Sequence, residues 1–428
     1  MDFSESETSR VLRGKVQAFF DAELLPRHRD WAHWVGMQPG SPPWFDELRT
    51  KARGLGLWNM ALADLAPDEP GTRLSNLAFG GVAEIMGRLP WTSEVFNCHA
   101  PDVPNMITLQ HAGTAEQKKQ WLQPLLEGKI RSAFAMTEPD VGSSDATNLQ
   151  FSIRREGDDY VLNGRKWYCS GASHPRCKFL IVMGATDLAA ARNQRHSAVI
   201  VPMDAPGLKI LRDLRFMGLL NPSSAASEIE FRQVRVPRAN LLGQEGQGFK
   251  VAQTRLGPAR VHHCMRALGS AEVLIELMMA RAAERQTFGR ALADYDTVQR
   301  WIAESRIEVE QARLLVQRAA WLLDRDGHAA AWRDVSIIKV VVPRMVQGIA
   351  DRALQVYGAM GGSDDTPIHS IYAHMRAMRI ADGPDEVHLR QIFRMEDPPT
   401  WSVADSPYNT PMSNPMMAPI KTETGGLP

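Results

Sequence analysis

The hydrophobic period of this chain changes twice, and few folds accommodate that. From about residue 5 to 130 apolar residues recur at helical spacing, as at Val16, Phe19, Phe20 and Leu24. Segments 44–57 and 77–89 continue the pattern, with Pro- and Gly-rich breaks at 40–43 and 67–71. Segment 116–122 reads as a short charged helix. From about 131 to 240 the period falls to two. Segment 160–167 reads as two short strands around Asn163-Gly164, a strong hairpin signal, and 179–183, 197–203 and 227–231 are further strands. From about 245 to 395 long helical runs return. Ile302, Val309, Ala312, Val316, Ala319 and Leu323 share one face, and a helix over 334–355 is expected to bend near Pro343.

Helices, then strands, then helices define an α+β chain. Its expected parts are an N-terminal helical domain (1–130), a small β-domain (131–244), a helical bundle (245–396) and a flexible tail (397–428) rich in Pro, Met, Thr and Ser. A doubly wound fold is excluded, because strands do not alternate with helices and no G-x-G-x-x-G follows a strand. A ligand at the domain junctions suits such an arrangement.

The 49 basic and 49 acidic residues balance, which gives no nucleic-acid footprint and no polybasic membrane surface. Cys98, Cys169, Cys177 and Cys264 form no C-x-x-C pair, so no metal site is read, and a reducing compartment is expected. The polar N-terminus lacks an apolar signal core, and no apolar run approaches the ~20 residues of a membrane span. A cytoplasmic location follows as the expectation.

Several segments carry chemistry. In 134–145 (FAMTEPDVGSSD), small and hydroxyl residues with Gly let backbone approach an anionic or carbonyl-rich ligand, although the string alone reads as an ordinary loop. The run 166–171 (KWYCSG) alone reads as a Trp and a small Cys in a strand core. Segment 285–290 (RQTFGR) ends a long helix with a guanidinium suited to phosphate, and 355–362 (QVYGAMGG) is Gly-rich. In 379–388 (RIADGPDEVH), Asp382 sits on a Gly-Pro turn at the mouth of a helix, where Asp382 or Asp385 also serves as a cap. Arg260 is followed by His262 and His263, which lack ligand spacing and read as packing or surface residues.

Together and in this order, these segments resemble the acyl-CoA dehydrogenase flavoenzymes. The runs 256–266 (LGPARVHHCMR) and 381–388 (ADGPDEVH) look like the subgroup of human family members ten and eleven and their bacterial relatives. The resemblance covers about 95–395 well, the N-terminal helices loosely and the tail not at all. It implies an N-terminal helical domain, a central β-domain and a C-terminal four-helix bundle. It also implies an FAD cofactor, an acyl-CoA substrate, a role in lipid metabolism, an electron-transfer flavoprotein as acceptor, and a homodimer or homotetramer.

The resemblance assigns residues too. Asp382 takes the α-proton of the thioester and flavin N5 the β-hydride, with Arg260 near base and substrate. Most members carry Glu at the base position; the shorter Asp382 implies an altered chain-shape preference. Met136 and Thr137 lie by the flavin ring, Ser143 reaches the pyrophosphate, and Trp167 packs by the ring. Cys169 stands where a Thr commonly donates near N5, with Ser170 as the other candidate. Arg285, Thr287 and Phe288 reach a neighbouring subunit's FAD, as do Gln355 and Gly358 through their Gly-rich loop. Phe134, Gly142, Pro384 and Glu386 complete the implied cofactor set. Burial is expected to raise the pKa of Asp382 toward working pH. The alternatives are a flavin oxidase of the same fold (nitroalkane or acyl-CoA oxidase), action on 4-hydroxy or 4-phospho acyl-CoA, and a non-catalytic acyl-CoA-binding helical protein.

Overall fold

The computed structural model describes residues 6–37, 40–220, 225–400 and 406–408. Helices Glu7–Phe19, Phe45–Gly54, Asn76–Met86 and Asp102–Ala112 supply most of the N-terminal part. Their apolar stripes turn inward: Val16, Phe19, Phe20 and Leu24 are all buried. Helix Asn76–Met86 starts where Ser75 Oγ accepts the Ala78 N–H at 3.2 Å, and the charged segment near 116 opens with a Thr114–Gln117 capping box.

Eight strands form the central sheet: β1 (Arg131–Ala135), β2 (Ser152–Glu156), β3 (Asp159–Ser170), β4 (Cys177–Ala185), β5 (His196–Pro202), β6 (Leu208–Leu214), β7 (Ala226–Pro237) and β8 (Leu241–Leu242). They run β6-β7-β3-β2-β4-β5-β8, with β1 parallel to β4. Strand β4 is apolar on both faces because both are covered. Phe179 and Ile181 join the helical core, while Leu180 and Val182 join a cluster with Tyr160, Leu162 and Phe231 inside the β-domain.

The expected hairpin at Asn163-Gly164 is corrected. A single strand, β3, runs through both residues, and the turn lies at Gly157-Asp158, where Glu156 pairs with Asp159. Pairing of β3 with β7 shifts register between Leu162 and Gly164. Asn163 Oδ1 accepts the Gln233 N–H at 2.8 Å, and Gly164, at φ +132°, leaves room that Phe151 needs: a Cβ there would lie 2.8 Å from the ring. The Asn-Gly pair therefore lies inside a strand, with Asn163 opposite a bulge at Arg232-Gln233 of β7, instead of in a turn.

Helix Gly248–Glu284 returns across the molecule, and a small hairpin of β9 (Gln286–Thr287) and β10 (Arg290–Ala291) follows it. Helix Asp296–Tyr357 breaks at Gly327 (φ 77°, ψ −178°). The break falls there and not at Pro343, which lies inside the helix; Gly reaches that conformation without a Cβ penalty. Segments 296–326 and 328–357 thus join Gly248–Glu284 and Ile368–Met378 as the four-helix bundle, and Asp385–Arg394 closes the described fold. On the shared face, Val309, Ala312, Val316 and Ala319 are buried, with Ile302 and Leu323 packed against the core. The chain therefore has the α+β architecture expected. Most of the 397–428 tail lies outside the described residues. Among those residues, no helix is long and apolar enough to cross a membrane.

At Gly87 and Gly269 the N-terminal helices meet the bundle backbone to backbone. A Cβ on Gly269 would lie 1.9 Å from the Glu84 carbonyl oxygen, and one on Gly87 would lie 1.8 Å from that of Arg266. Backbone against backbone leaves no room for a methyl group. Gly269→Ala should accordingly lower stability by about 1–3 kcal/mol through overpacking, measurable as a reduced unfolding midpoint in denaturant; an unchanged midpoint would mean that the two helices separate easily.

Candidate active site

Asp382 lies between Ile368–Met378 and Asp385–Arg394, in left-handed backbone (φ 54°) followed by Gly383 at φ 99°. Asp tolerates that region better than most residues. Three side chains from three helical segments hold the turn. Arg260 Nε donates to the Asp382 carbonyl at 2.9 Å, and His388 Nε2 faces the same oxygen at 3.3 Å. Lys339 Nζ donates to the Met378 carbonyl and reaches that of Gly383 at 3.4 Å. Neither aspartate caps the last helix. Pro384 occupies the cap position, and Asp385 is buried against Arg344 Nε (2.8 Å) and Arg379 Nε (2.9 Å).

Cations surround the Asp382 carboxylate. Arg255 is buried with its guanidinium 4.0 Å from the Phe134 ring centre, and Arg260 is buried 5.0 Å from that of Trp332. Arg255 Nε and Arg260 Nη1 are buried and lack a protein acceptor among the described residues. His263 Nε2 lies 3.6 Å from Asp382 Oδ2. Burial pushes the Asp382 carboxyl up, but the facing His263 ring and the cations Arg255, Arg260 and Lys339 outweigh it and hold the group below the ordinary carboxylate range. The expected rise in pKa is therefore reversed. It counted the loss of water and omitted the cations. His263 is corrected as well: it is neither a surface residue nor mere packing, since it faces Asp382. His262 does pack, with Nε2 3.1 Å from Asn76 Oδ1 and its ring 5.0 Å from that of Phe79.

The segments implied for the cofactor fall into two groups. In the first, Lys166 Nζ donates to the Met136 carbonyl at 2.7 Å, and the Trp167 N–H donates to that of Thr137 at 3.0 Å. Phe134, Met136, Thr137 and Trp167 are half-buried. Trp167 Nε1 is buried with no acceptor among the described residues. Ser143 Oγ is engaged by its own loop, accepting the Glu138 N–H at 2.9 Å, and Gly142 is open around its missing Cβ. Cys169 does not sit on this face. Its thiol lies in the sheet cluster, donates toward the Trp167 carbonyl at 3.7 Å, and burial pushes it up to about 12. Ser170, half-buried, is the open member of that pair. Arg255 connects this group to Asp382 through its contact with Phe134.

The second group is outward. Phe288 sits at the β9–β10 tip with 96% of its surface exposed, and Arg285 is exposed beside it. Thr287 is tied back through its carbonyl, which accepts the Tyr295 O–H at 2.8 Å. Gln355 and Gly358 lie exposed at the end of helix Asp296–Tyr357, and Glu386 is exposed in the last helix. Among the described residues, none of these makes a side-chain hydrogen bond or ion pair with the Asp382 cluster.

Arg255 and Lys339 lie outside every motif, and His263 and His388 lie inside the runs 256–266 and 381–388 without being marked as site residues. Lys339 had a signal: it is the single charge in the apolar run Ile337-Ile338-Lys339-Val340-Val341-Val342.

A helical domain, a β-domain and a helical bundle that holds one aspartate on a clamped turn define a class. The chain belongs to the acyl-CoA dehydrogenase family and is an oxidoreductase of that family. Its N-terminal, middle and C-terminal domain models match residues 6–129, 133–234 and 246–395. The chain is 52% identical over 404 residues to the Mycobacterium tuberculosis protein named Probable acyl-CoA dehydrogenase FadE2, covering 92% of this chain and 97% of that one. It is 45% identical to acyl-CoA dehydrogenase family member 11 of Gallus gallus over 92% of its own length and 51% of the relative, so it spans about half of that longer protein. Butyryl-CoA dehydrogenase from Megasphaera elsdenii superposes with a TM-score of 0.78 at 25% identity, over 92% of this chain and 99% of that one.

Five histidines inside this fold are kept uncharged. Burial, first among the causes, lowers His174, His262 and His263 to about 3, and His374 and His388 to about 4. Their folded values lie below the unfolded value of about 6.5. Stability is thus complete above that pH and is lost as pH falls toward the folded values, each ring contributing up to about 1.36 kcal/mol per pH unit. The thermal midpoint should drop steeply between pH 7 and 5; a flat profile over that range would contradict the neutral rings.

Proposed function

We propose that this protein oxidises the Cα–Cβ bond of an acyl-CoA thioester, with Asp382 as the base that takes the α-proton. The observation that carries this reading is a single carboxylate, borne on a clamped turn, among buried cations. Arg255, Arg260 and Lys339 cost basicity at Asp382, yet the same field stabilises negative charge developing on the thioester oxygen as the α-proton leaves. The Asp382 N–H has no acceptor among the described residues, so it too is free to meet that oxygen. FAD, when bound, accepts the β-hydrogen as hydride. Phe134, Met136, Thr137, Trp167 and Ser170 would hold it from one side, and the unpaired Trp167 Nε1 fits a polar ligand there. Gly142 and Ser143 would serve its phosphates.

Arg285, Thr287, Phe288, Gln355 and Gly358 would serve the cofactor of an adjacent copy in a homodimer or homotetramer, with Pro384 and Glu386 at the start of the last helix. An electron-transfer flavoprotein would take the electrons, and four buried free thiols suit a reducing, cytoplasmic setting. The surplus of buried cations, with unpaired Arg255 Nε and Arg260 Nη1, favours an acyl chain carrying a 4-hydroxy or 4-phospho group.

Anaerobic mixing with straight-chain, 2-methyl-branched, 4-hydroxy and 4-phospho acyl-CoA should bleach the oxidised flavin band. Asp382→Asn should retain FAD and slow bleaching about 10²–10⁴-fold; bleaching at the parent rate would remove Asp382 from the role. Hydrogen peroxide from nitroethane, with no thioester bleaching, would establish an oxidase instead. Phe288→Asp should leave the subunit folded, reduce the molecular mass in solution and lower FAD retention; unchanged mass and FAD content would sink the shared-site reading.

A further inference from the structure

The clamps on the turn act on backbone carbonyls and leave the Asp382 carboxylate itself unaddressed. Among the described residues, one side chain lies within ion-pair distance of its oxygens: His263, from the middle of helix Gly248–Glu284. The two ring nitrogens of His263 are not equivalent. Nδ1 lies 3.0 Å from Arg266 Nη2. A guanidinium only donates, so Nδ1 must accept, and in the neutral ring the proton resides on Nε2. That nitrogen is the one 3.6 Å from Asp382 Oδ2. Arg266 is anchored in turn, its Nη1 donating to the Cys98 carbonyl at 3.3 Å. A directed chain therefore runs from the N-terminal helical part through Arg266 and His263 to the carboxylate.

We infer that His263 is the positioning residue of the base, presenting an Nε2–H to the Asp382 carboxylate and fixing the orientation in which it meets the α-proton. The inference rests on Asp382 being the base. The 3.6 Å contact is longer than a hydrogen bond, and contacts of this kind tighten when substrate closes the site. A short side chain makes the role necessary. Asp382 has one torsion fewer than a Glu with which to adjust, its backbone is fixed by Arg260, His388 and Lys339, and a small rotation moves its oxygens off line. Arg266 keeps the imidazole in the tautomer that can donate.

The test uses the FAD-loaded protein and the thioester that bleaches the parent flavin fastest among butyryl-CoA, its 2-methyl-branched homologue and its 4-hydroxy homologue. His263→Leu should lower kcat roughly 10- to 100-fold, with KM within about threefold. It should also move the acid limb of kcat/KM to higher pH, since the carboxylate loses a donor. The limb is set jointly with Arg255, Arg260 and Arg266 on the same helix, Lys339 and His374 from the neighbouring helices, and His388 and Asp385 from the last one, all of which the variant retains. His263→Gln, which keeps an N–H at similar reach, should restore most of the rate and the parental acid limb. Parental kcat and pH profile in His263→Leu, or Gln as impaired as Leu, would overturn the positioning role. If Leu does not fold, Gln against parent decides, by its rate and its acid limb. Asp382→Asn separates the two ideas: a dead Asn variant beside an unaffected Leu variant leaves the base and removes His263, whereas an active Asn variant, or a parent that no thioester bleaches, removes both.

Discussion

Arg131 is the fixed point from which the site is built. Its guanidinium is buried where the N-terminal helices meet the sheet, with Nε 3.0 Å from Asp102, Nη1 2.5 Å from Glu94 and Nη2 2.5 Å from His99 Nε2. Asp102 is shared: its other oxygen accepts from Ser132 N at 2.7 Å and Ser132 Oγ at 2.6 Å. Burial raises both carboxyls, and Arg131 more than cancels it, so both stay charged at neutral pH. Removing one partner from such a buried group costs about 3–5 kcal/mol, because the charges left behind have no water. The cluster therefore allows a single register of helix Asp102–Ala112 on β1. Phe134 lies three residues beyond Arg131 on β1 and receives the Arg255 guanidinium. Arg255 carries its charge toward Asp382. The junction thus determines where the proposed base finds its electrostatic surroundings.

The second determinant of that geometry is the contact at Gly87 and Gly269. Backbone contact sets how deeply helix Gly248–Glu284 lies against the N-terminal helices. That helix carries Arg255, Arg260, His263 and Arg266 within twelve residues, at spacings of three to five that place them along neighbouring turns. A displacement of the helix would move every one of them relative to Asp382, which hangs from a different pair of helices. The ion cluster fixes the N-terminal helices on the sheet, and the glycine contact fixes them on the bundle. Neither is near the reacting atoms in sequence.

The layering was legible in the sequence because burial writes itself as period. Val16, Phe19, Phe20 and Leu24 on one helix face, and the doubly apolar 179–183, each indicate which face is covered. Turn chemistry was less legible. Asn163-Gly164 has the composition of a hairpin but runs through a strand opposite a bulge in β7, where the ring of Phe151, distant in neither sequence nor space, takes the volume a Cβ on Gly164 would need. Gly327 breaks a helix that Pro343 leaves intact, since a proline's lost donor is tolerable where the helix packs well, while φ +77° is open to glycine. The Asp382 motif identified the carboxylate but not its environment. Arg255, Lys339 and His388 come from three segments up to 133 residues apart, and no local pattern encodes their convergence. His263 looked bland because its partner, Asp382, lies 119 residues further on.

The depressed basicity of Asp382 bears on how the proposed reaction divides its work. A base near neutrality would supply more of the driving force for taking the α-proton. A carboxylate held low by its cationic neighbours supplies less, and more of the barrier must fall on the other side of the transfer, by making the α-proton more acidic. The same cations do that when the thioester oxygen turns toward them, because their field acts on whichever negative charge is present, carboxylate before the transfer and enolate after it. Such a site gains from cations that need not move, and the buried clamps on the Asp382 turn supply that rigidity. It also demands an exact carboxylate orientation, since a weak base has no driving force to spare for misalignment, and this is the demand that a donor at His263 meets.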